Sequence, residues 1–271
     1  MKIAIISDIH GNTEALNAVL KDIETQKADK IFICGDLAMA GPEPVETVDV
    51  IIELTKQKDV AIILGNTDEM IIKSHEKADE YTPADETMAA SLKYTQKLLR
   101  PDQIEFLKTL PIRHKEKIGQ LEILLVHGSP RKISENISPD LNEQILKEML
   151  SGTDEDIIFC GHTHLPVIYK IDKQSGRVIK ENDEFSTLTD HSYQIIVNVG
   201  SVGRPFTQKP DACYAILDYF DLNSPTFNIF HKFVKYDKET TEKKLKTLPF
   251  AGSEKLAQVI LNPIDRTKLF K

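Results

Sequence analysis

Five short apolar runs constrain the fold more than any other feature of the chain. Ile3-Ala4-Ile5-Ile6 leads into Asp8-Ile9-His10-Gly11-Asn12, Ile31-Phe32-Ile33-Cys34 into Gly35-Asp36, and Val60-Ala61-Ile62-Ile63-Leu64 into Gly65-Asn66-Thr67-Asp68. Ile123-Leu124-Leu125-Val126 leads into His127-Gly128, and Ile157-Ile158-Phe159-Cys160 into Gly161-His162-Thr163-His164. Runs this short and apolar at every position read as strands covered by other elements. Helical patterns separate the first three. Ala15, Leu16, Val19, Leu20 and Ile23 share one face, with Asn12 or Thr13 as N-cap. Val45, Val48, Ile51, Ile52 and Leu54 follow a helix start near Pro42-Glu43-Pro44. Residues 1 to 66 thus predict β-α-β-α-β with a largely parallel sheet.

The alternation breaks at 67–110, which reads as a helical insertion or cap. One helix starts in Thr82-Pro83-Ala84-Asp85-Glu86 and runs to Arg100, and Pro101-Asp102 opens another. As a cap, the segment would turn Tyr81 or Tyr94 towards a substrate. From Ile112 strands dominate: a hairpin about Gly119-Gln120, then, after a helix from Pro139 to Leu150 and the Ile157 strand, strands at Val167 to Ile171, Arg177 to Lys180, Gln194 to Val197, Ala212 to Tyr219 and Thr226 to Val234. These predict a second, mostly antiparallel sheet. A helical tail begins at about Lys238. No linker divides the chain, so 1–271 reads as a single domain.

Acidic residues outnumber basic ones, 42 to 34, for a formal charge of -8. That excludes a protein held on nucleic acid or an anionic membrane by bulk charge, but not one binding a small anion at a metal, which brings its own charge. No apolar run approaches the length of a membrane span, and no leader is visible. Cys34, Cys160 and Cys213 lie inside apolar runs, as packed reduced thiols do. A cytoplasmic location is expected; the sequence carries no mark of oligomeric state.

The chemistry follows from the layout. Ligands of open α/β sheets bind beyond the carboxyl ends of the strands. His10, His127, His162 and His164 fall there, with Asp8, Asp36 and Asn66. One metal rarely takes more than six ligands, whereas two metals sharing a carboxylate accommodate these seven. Imidazole and carboxylate without thiolate suit manganese, iron, zinc or nickel, as two divalent or mixed-valence ions. Arg204 follows a glycine-rich turn near the same rim and is a candidate phosphate clamp. Asn12 either faces the site or caps the first helix. Asn198 and Ser201 are expected to shape the turn, Phe206 to be a core aromatic, and His75, His114, His191 and His231 to be structural.

The motifs Asp8-x-His10, Gly35-Asp36, Gly65-Asn66-x-Asp68, His127 and Gly161-His162-x-His164, in this order, resemble the calcineurin-like metallophosphoesterase superfamily. The run from Val197 to Pro205 and the strand from Cys213 to Asp218 are similar to its compact bacterial phosphodiesterase branch, which includes diadenosine tetraphosphatase-like members. The resemblance implies an α/β/β/α four-layer sandwich with two mixed central sheets. It implies one metal on Asp8, His10, Asp36 and His164, and another on Asp36, Asn66, His127 and His162. Asp36 would bridge, and a hydroxide between the metals would attack phosphorus in line. Asp36, Asn66 and Asp68 would serve catalysis; Asn12, Asn66, Gly128 and Arg204 would bind a small phosphorylated substrate, aided by N–H groups beside Gly11 and Gly128.

The chain departs from the family pattern at Thr67, where many members carry a histidine that assists the leaving group. A threonine cannot act as a general acid near neutral pH. This favours phosphodiesters and anhydrides, dinucleoside polyphosphates among them, over alkyl phosphomonoesters. The alternatives are a phosphomonoesterase of the same superfamily, a lipid-linked pyrophosphatase and a non-catalytic scaffold; the last would have lost metal ligands, and none is lost here.

Overall fold

The computed structural model describes residues 1–76, 83, 85–182, 184–188, 191–207, 210–219 and 226–262. Its first half runs β1 (Lys2–Ile6), α1 (Thr13–Gln26), β2 (Lys30–Ile33), α2 (Pro44–Gln57), β3 (Asp59–Ile62), α3 (Asn66–Glu76), α4 (Glu86–Leu98) and α5 (Pro101–Thr109). The second runs β4 (His114–Ile118), β5 (Leu121–Leu125), α6 (Glu143–Met149), β6 (Ile157–Cys160), β7 (Val167–Asp172), β8 (Val178–Lys180), β9 (Glu184–Leu188), β10 (Tyr193–Asn198), β11 (Ala212–Asp218), β12 (Thr226–Val234), α7 (Lys238–Lys246) and α8 (Ser253–Leu261).

Two six-stranded sheets result, in the orders β3-β2-β1-β11-β12-β9 and β4-β5-β6-β10-β7-β8. β1, β2 and β3 are parallel, and β11, β12 and β9 extend the same sheet antiparallel. In the second sheet β5, β6 and β10 are parallel, β4 pairs antiparallel with β5 at one edge, β7 antiparallel with β10, and β8 antiparallel with β7 at the other edge. Both sheets are therefore mixed. This corrects the division read from chain order: β11 and β12 return to the N-terminal sheet and pair beside β1.

Alternating side chains of each apolar run serve two cores, which is why those runs lack polar positions. Ala4 and Ile6 of β1 join Leu16, Val19, Val48 and Ile51 in an outer core against α1 and α2. Ile3 and Ile5 face Ile123, Leu125, Ile157 and Phe159 of the other sheet. Leu124, Ile158 and Ile196 point the other way, onto Leu146 and Met149 of α6. Helices, sheet, sheet and helix form four layers.

Several boundaries differ from expectation. The helix read from Pro139 is shorter, because Asn142 caps it through bonds from Gln144 and Ile145 N–H. α4 stops at Leu98, two residues short of Arg100, which precedes the Pro101 that opens α5. β9 was not anticipated, nor was a helix starting at Asn66 itself. Tyr94 packs on Phe250 with ring centroids 5.3 Å apart, as a helical excursion packed on the domain would place it; Tyr81 lies outside the described residues.

Candidate metal centre

The ends of β1, β2, β3, β5 and β6 converge from both sheets. His127, after β5, donates its Nδ1–H to Cys34 O of the other sheet at 2.7 Å. His162 N–H, after β6, donates to Asp8 Oδ2 at 3.0 Å. Close approach is enforced by glycine. A Cβ at Gly65 would collide with the backbone and Oδ1 of Asp36, and one at Gly161 with Ser7 Oγ and Asp8 Oδ2. Asp8, His10, Asp36, His162 and His164 all hold φ between 50° and 67°. Left-handed backbone at a residue with a Cβ costs of order 1–3 kcal/mol, so the turns aim these side chains inward against their local preference.

The candidate ligands come together as a buried cluster. His164 Nε2 lies 3.1 Å from Asp8 Oδ1 and 3.1 Å from His10 Nε2. Asp36 Oδ2 lies 3.7 Å from His10 Nε2 and 3.4 Å from His127 Nε2, between the two rings. His127 Nε2 is 2.9 Å from Asn66 Oδ1, and the His162 ring sits 5.2 Å from the His127 ring, centroid to centroid. Two triads have all their donor atoms within 4.8 Å of one another: Asp8, His10 and His164, and Asp8, Asp36 and His127.

The donor chemistry fits cations. His10, His127 and His164 each direct Nδ1 at a backbone carbonyl, of Met39, Cys34 and Arg204, at 2.7 Å. That fixes the tautomer and turns each Nε2 into the cluster. His10 and His164 thereby present Nε2 to Nε2, and Asp8 Oδ1 is buried without a hydrogen-bond partner. A positive ion satisfies all three.

The same arrangement perturbs the titrating groups. Burial dominates at His10 and, with the charge of His164 adding to it, holds that ring neutral down to about 3. Burial also opposes charge on His127, but the Asp36 carboxylate beside it outweighs burial and raises the ring to about 10. Burial works against an ionised Asp8, yet His164 brings it down to about 2. Asp36, likewise buried, is held well below the usual carboxylate range by His127, His10 and the Thr67 N–H. His162 is lowered to about 4 by burial and then His127.

Other expected site residues have different partners. Asn12 is consumed by structure: Oδ1 accepts from Ala15 N–H and Thr241 Oγ, and Nδ2 donates to Gly203 O at 2.9 Å. It caps α1, the structural alternative for this residue. Gly11 N–H donates to Leu37 O and Asn12 N–H to Ile9 O, so neither is available to a phosphoryl oxygen. Gly128 is packed against the backbone of Ile133 and Glu135. Asp68 accepts from the N–H groups of Asp36, Leu37 and Gly65 at 2.8, 2.9 and 3.1 Å. It braces the turns carrying Asp36 and Asn66. Burial and then Asp36 push its carboxyl up to about 7, against those backbone donors. Thr67 is buried, donates its N–H to Asp36 Oδ1 at 2.8 Å, and leaves Oγ1 without a hydrogen-bond partner.

Asn198 and Ser201 shape the turn as expected. Asn198 Nδ2 donates to Ile137 O and Gly161 O, and Ser201 Oγ donates to Asp8 O while accepting from Arg204 N–H. His231 and His191 bond Asn198 O and Asp156. Phe206 is buried and stacks on His164 at 4.8 Å; the Arg204 guanidinium lies 5.7 Å from its centroid. That stack was not legible, because only the fold sets residues 164 and 206 face to face.

The family model described as a calcineurin-like phosphoesterase superfamily domain matches residues 1–221. A metallophosphoesterase from Sphaerobacter thermophilus superposes with a TM-score of 0.74 at 29% identity, over 97% of this chain and all of that one. An uncharacterized protein of Methanocaldococcus jannaschii is 32% identical over 90% of this chain and 92% of its own length. The symmetrical bis(5'-nucleosyl)-tetraphosphatase of Buchnera aphidicola is 29% identical over 54% of this chain and 48% of its own. The chain belongs to the calcineurin-like phosphoesterase superfamily and is a phosphoesterase hydrolase.

Proposed function

We propose that this phosphoesterase hydrolyses phosphodiester or phosphoanhydride bonds of small nucleotide-like substrates, dinucleoside polyphosphates among them. The reading includes two transition metals, of manganese, iron, zinc or nickel, on Asp8, His10, Asp36 and His164 and on Asp36, Asn66, His127 and His162. The observation that carries it is the convergence of three Nε2 atoms and the Asp8 and Asp36 carboxylates in one buried cluster. When bound, such ions supply Lewis acidity, bringing a water's pKa near neutrality and offsetting charge on phosphoryl oxygens. Anchored Nδ1–H groups hold the three rings in the tautomer that binding needs. Asp36 spans the two halves, and Asp68 acts as a positioning residue through the backbone of Asp36. Arg204 offers a fixed positive charge. A cytoplasmic setting suits the three buried free cysteines.

The substrate class rests on Thr67 and on the similarity to a tetraphosphatase over half the chain. With a non-titrating side chain there, the departing oxygen carries its own charge, and rates fall steeply as leaving-group pKa rises. Metal-loaded enzyme is expected to cleave bis(p-nitrophenyl) phosphate and diadenosine tetraphosphate and to leave phosphoserine nearly untouched. Thr67→His, with Asp68 adjacent, should flatten the slope across a graded aryl series, with gains below the ~10²–10⁴-fold of full general-acid catalysis. A shallow wild-type slope, or an unchanged slope in a Thr67→His protein retaining both metals, would favour the phosphomonoesterase reading.

A further inference from the structure

A cleft of about 750 Å³ opens between α4, α8 and Arg204, within the ~300–1,000 Å³ range of small-molecule sites. Met88, Leu256 and Val259 give it an apolar floor, Lys255 and Gln258 stand exposed at its rim, and Arg204, buried to 7% exposure, forms a wall. That wall is shared with the metal centre. Phe206 packs with Val259 on one side and stacks on His164 on the other. One aromatic ring thus separates the cleft from a candidate metal ligand, and the Arg204 carbonyl accepts the Nδ1–H of that same His164 at 2.7 Å.

α7 and α8 lie beyond residues 1–221, the span matched to the common domain. They are nonetheless fixed to it: Lys244 Nζ reaches Glu14 and Glu43 at 2.7 and 2.8 Å, and Thr241 Oγ donates to Asn12. The far side of the cleft therefore lies beyond the span matched to the common domain.

We propose that this cleft binds the part of the substrate beyond the reacting phosphorus, and that this part is a nucleoside phosphate. The proposal rests on the phosphoryl-hydrolysis reading above. Arg204 and Lys255, at the wall and rim, outnumber the one carboxylate of the lining, Asp85, and suit phosphate oxygens. Three apolar side chains suit the face of a base or sugar, and the Gln258 amide offers both donor and acceptor to a base edge.

Calorimetry with AMP and with inorganic phosphate on the manganese-loaded full chain tests this without needing turnover. Lys255→Glu, at an exposed site, should lower the ratio of AMP to phosphate affinity at least tenfold; Met88→Ala should lower it about threefold. The kcat/KM ratio of diadenosine tetraphosphate to bis(p-nitrophenyl) phosphate should fall in the same order. Absence of AMP binding to the wild type, or unchanged ratios in both variants, overturns the cleft proposal. If hydrolysis proceeds while these ratios stay fixed, the cleft is refuted and the hydrolase reading stands. If AMP binding depends on Lys255 while no phosphate ester is cleaved, the cleft stands and the substrate reading falls.

Discussion

Asp36 is the residue on which the centre turns. Oδ2 lies between His10 and His127, and Oδ1 accepts the Thr67 N–H, so each oxygen has a separate task. Asp36→Asn keeps the shape and removes the charge; it should lose at least one metal per chain and nearly all turnover. Metal analysis of the purified variant checks this, and two retained metals with near wild-type rate would remove Asp36 from the bridging position. The identities of the clustered residues were legible because they gather at the ends of apolar runs, with a glycine at each of those five ends. Their backbone state was not. Histidine and aspartate seldom adopt positive φ, and nothing local in the sequence marks which will; the stitching of five strand ends imposes it. Roles were harder still: Asp68 and Asn12 belong to the motifs in sequence, and only the fold shows that they also hold backbone N–H groups, of Asp36 and Leu37 and of Ala15.

Helix α1 shows how an element is placed from both ends of the chain. Asn12 caps its N-terminus, while the same side chain holds the Gly203 turn and receives Thr241 of α7. Asn12→Ala removes a cap worth ~0.5–2 kcal/mol and orphans a buried carbonyl at ~1–3 kcal/mol. A loss of about 2–4 kcal/mol in denaturant unfolding is expected, with KM of the folded enzyme changed less than threefold. A large KM rise without loss of stability would return Asn12 to the substrate. Element types in 1–66 were legible from periodicity alone. Sheet membership was not, since the partner of β1 is β11, some two hundred residues on, and long-range pairing leaves no local trace. β9 is illegible for a similar reason: it pairs with β12, beyond two intervening strands of the chain.

For the whole molecule, metal binding and stability are linked. In metal-free protein His127 holds a proton up to about 10. Because that value is raised, the stability it contributes is full below the ordinary imidazole range and is lost as pH rises towards 10. A metal must displace the same proton, so affinity strengthens over the same window. Chelation should therefore lower Tm, and the gap between loaded and chelated protein should widen from pH 7 to pH 9. Melting curves at several pH values decide it; a constant gap would mean His127 is not a ligand. β1 lies in the interior of its sheet, between β2 and β11. Ribosomes deliver it more than two hundred residues ahead of β11, so one edge of β1 stays bare through all of that stretch of synthesis. Both sheets close late: β10 (Tyr193–Asn198) is the last strand of the second, and the first closes only with β11 and then β12 (Thr226–Val234), which β9 needs as its partner. The protein thus matures late and nearly all at once, and a nascent chain stalled before residue 212 would display an apolar strand edge to its neighbours.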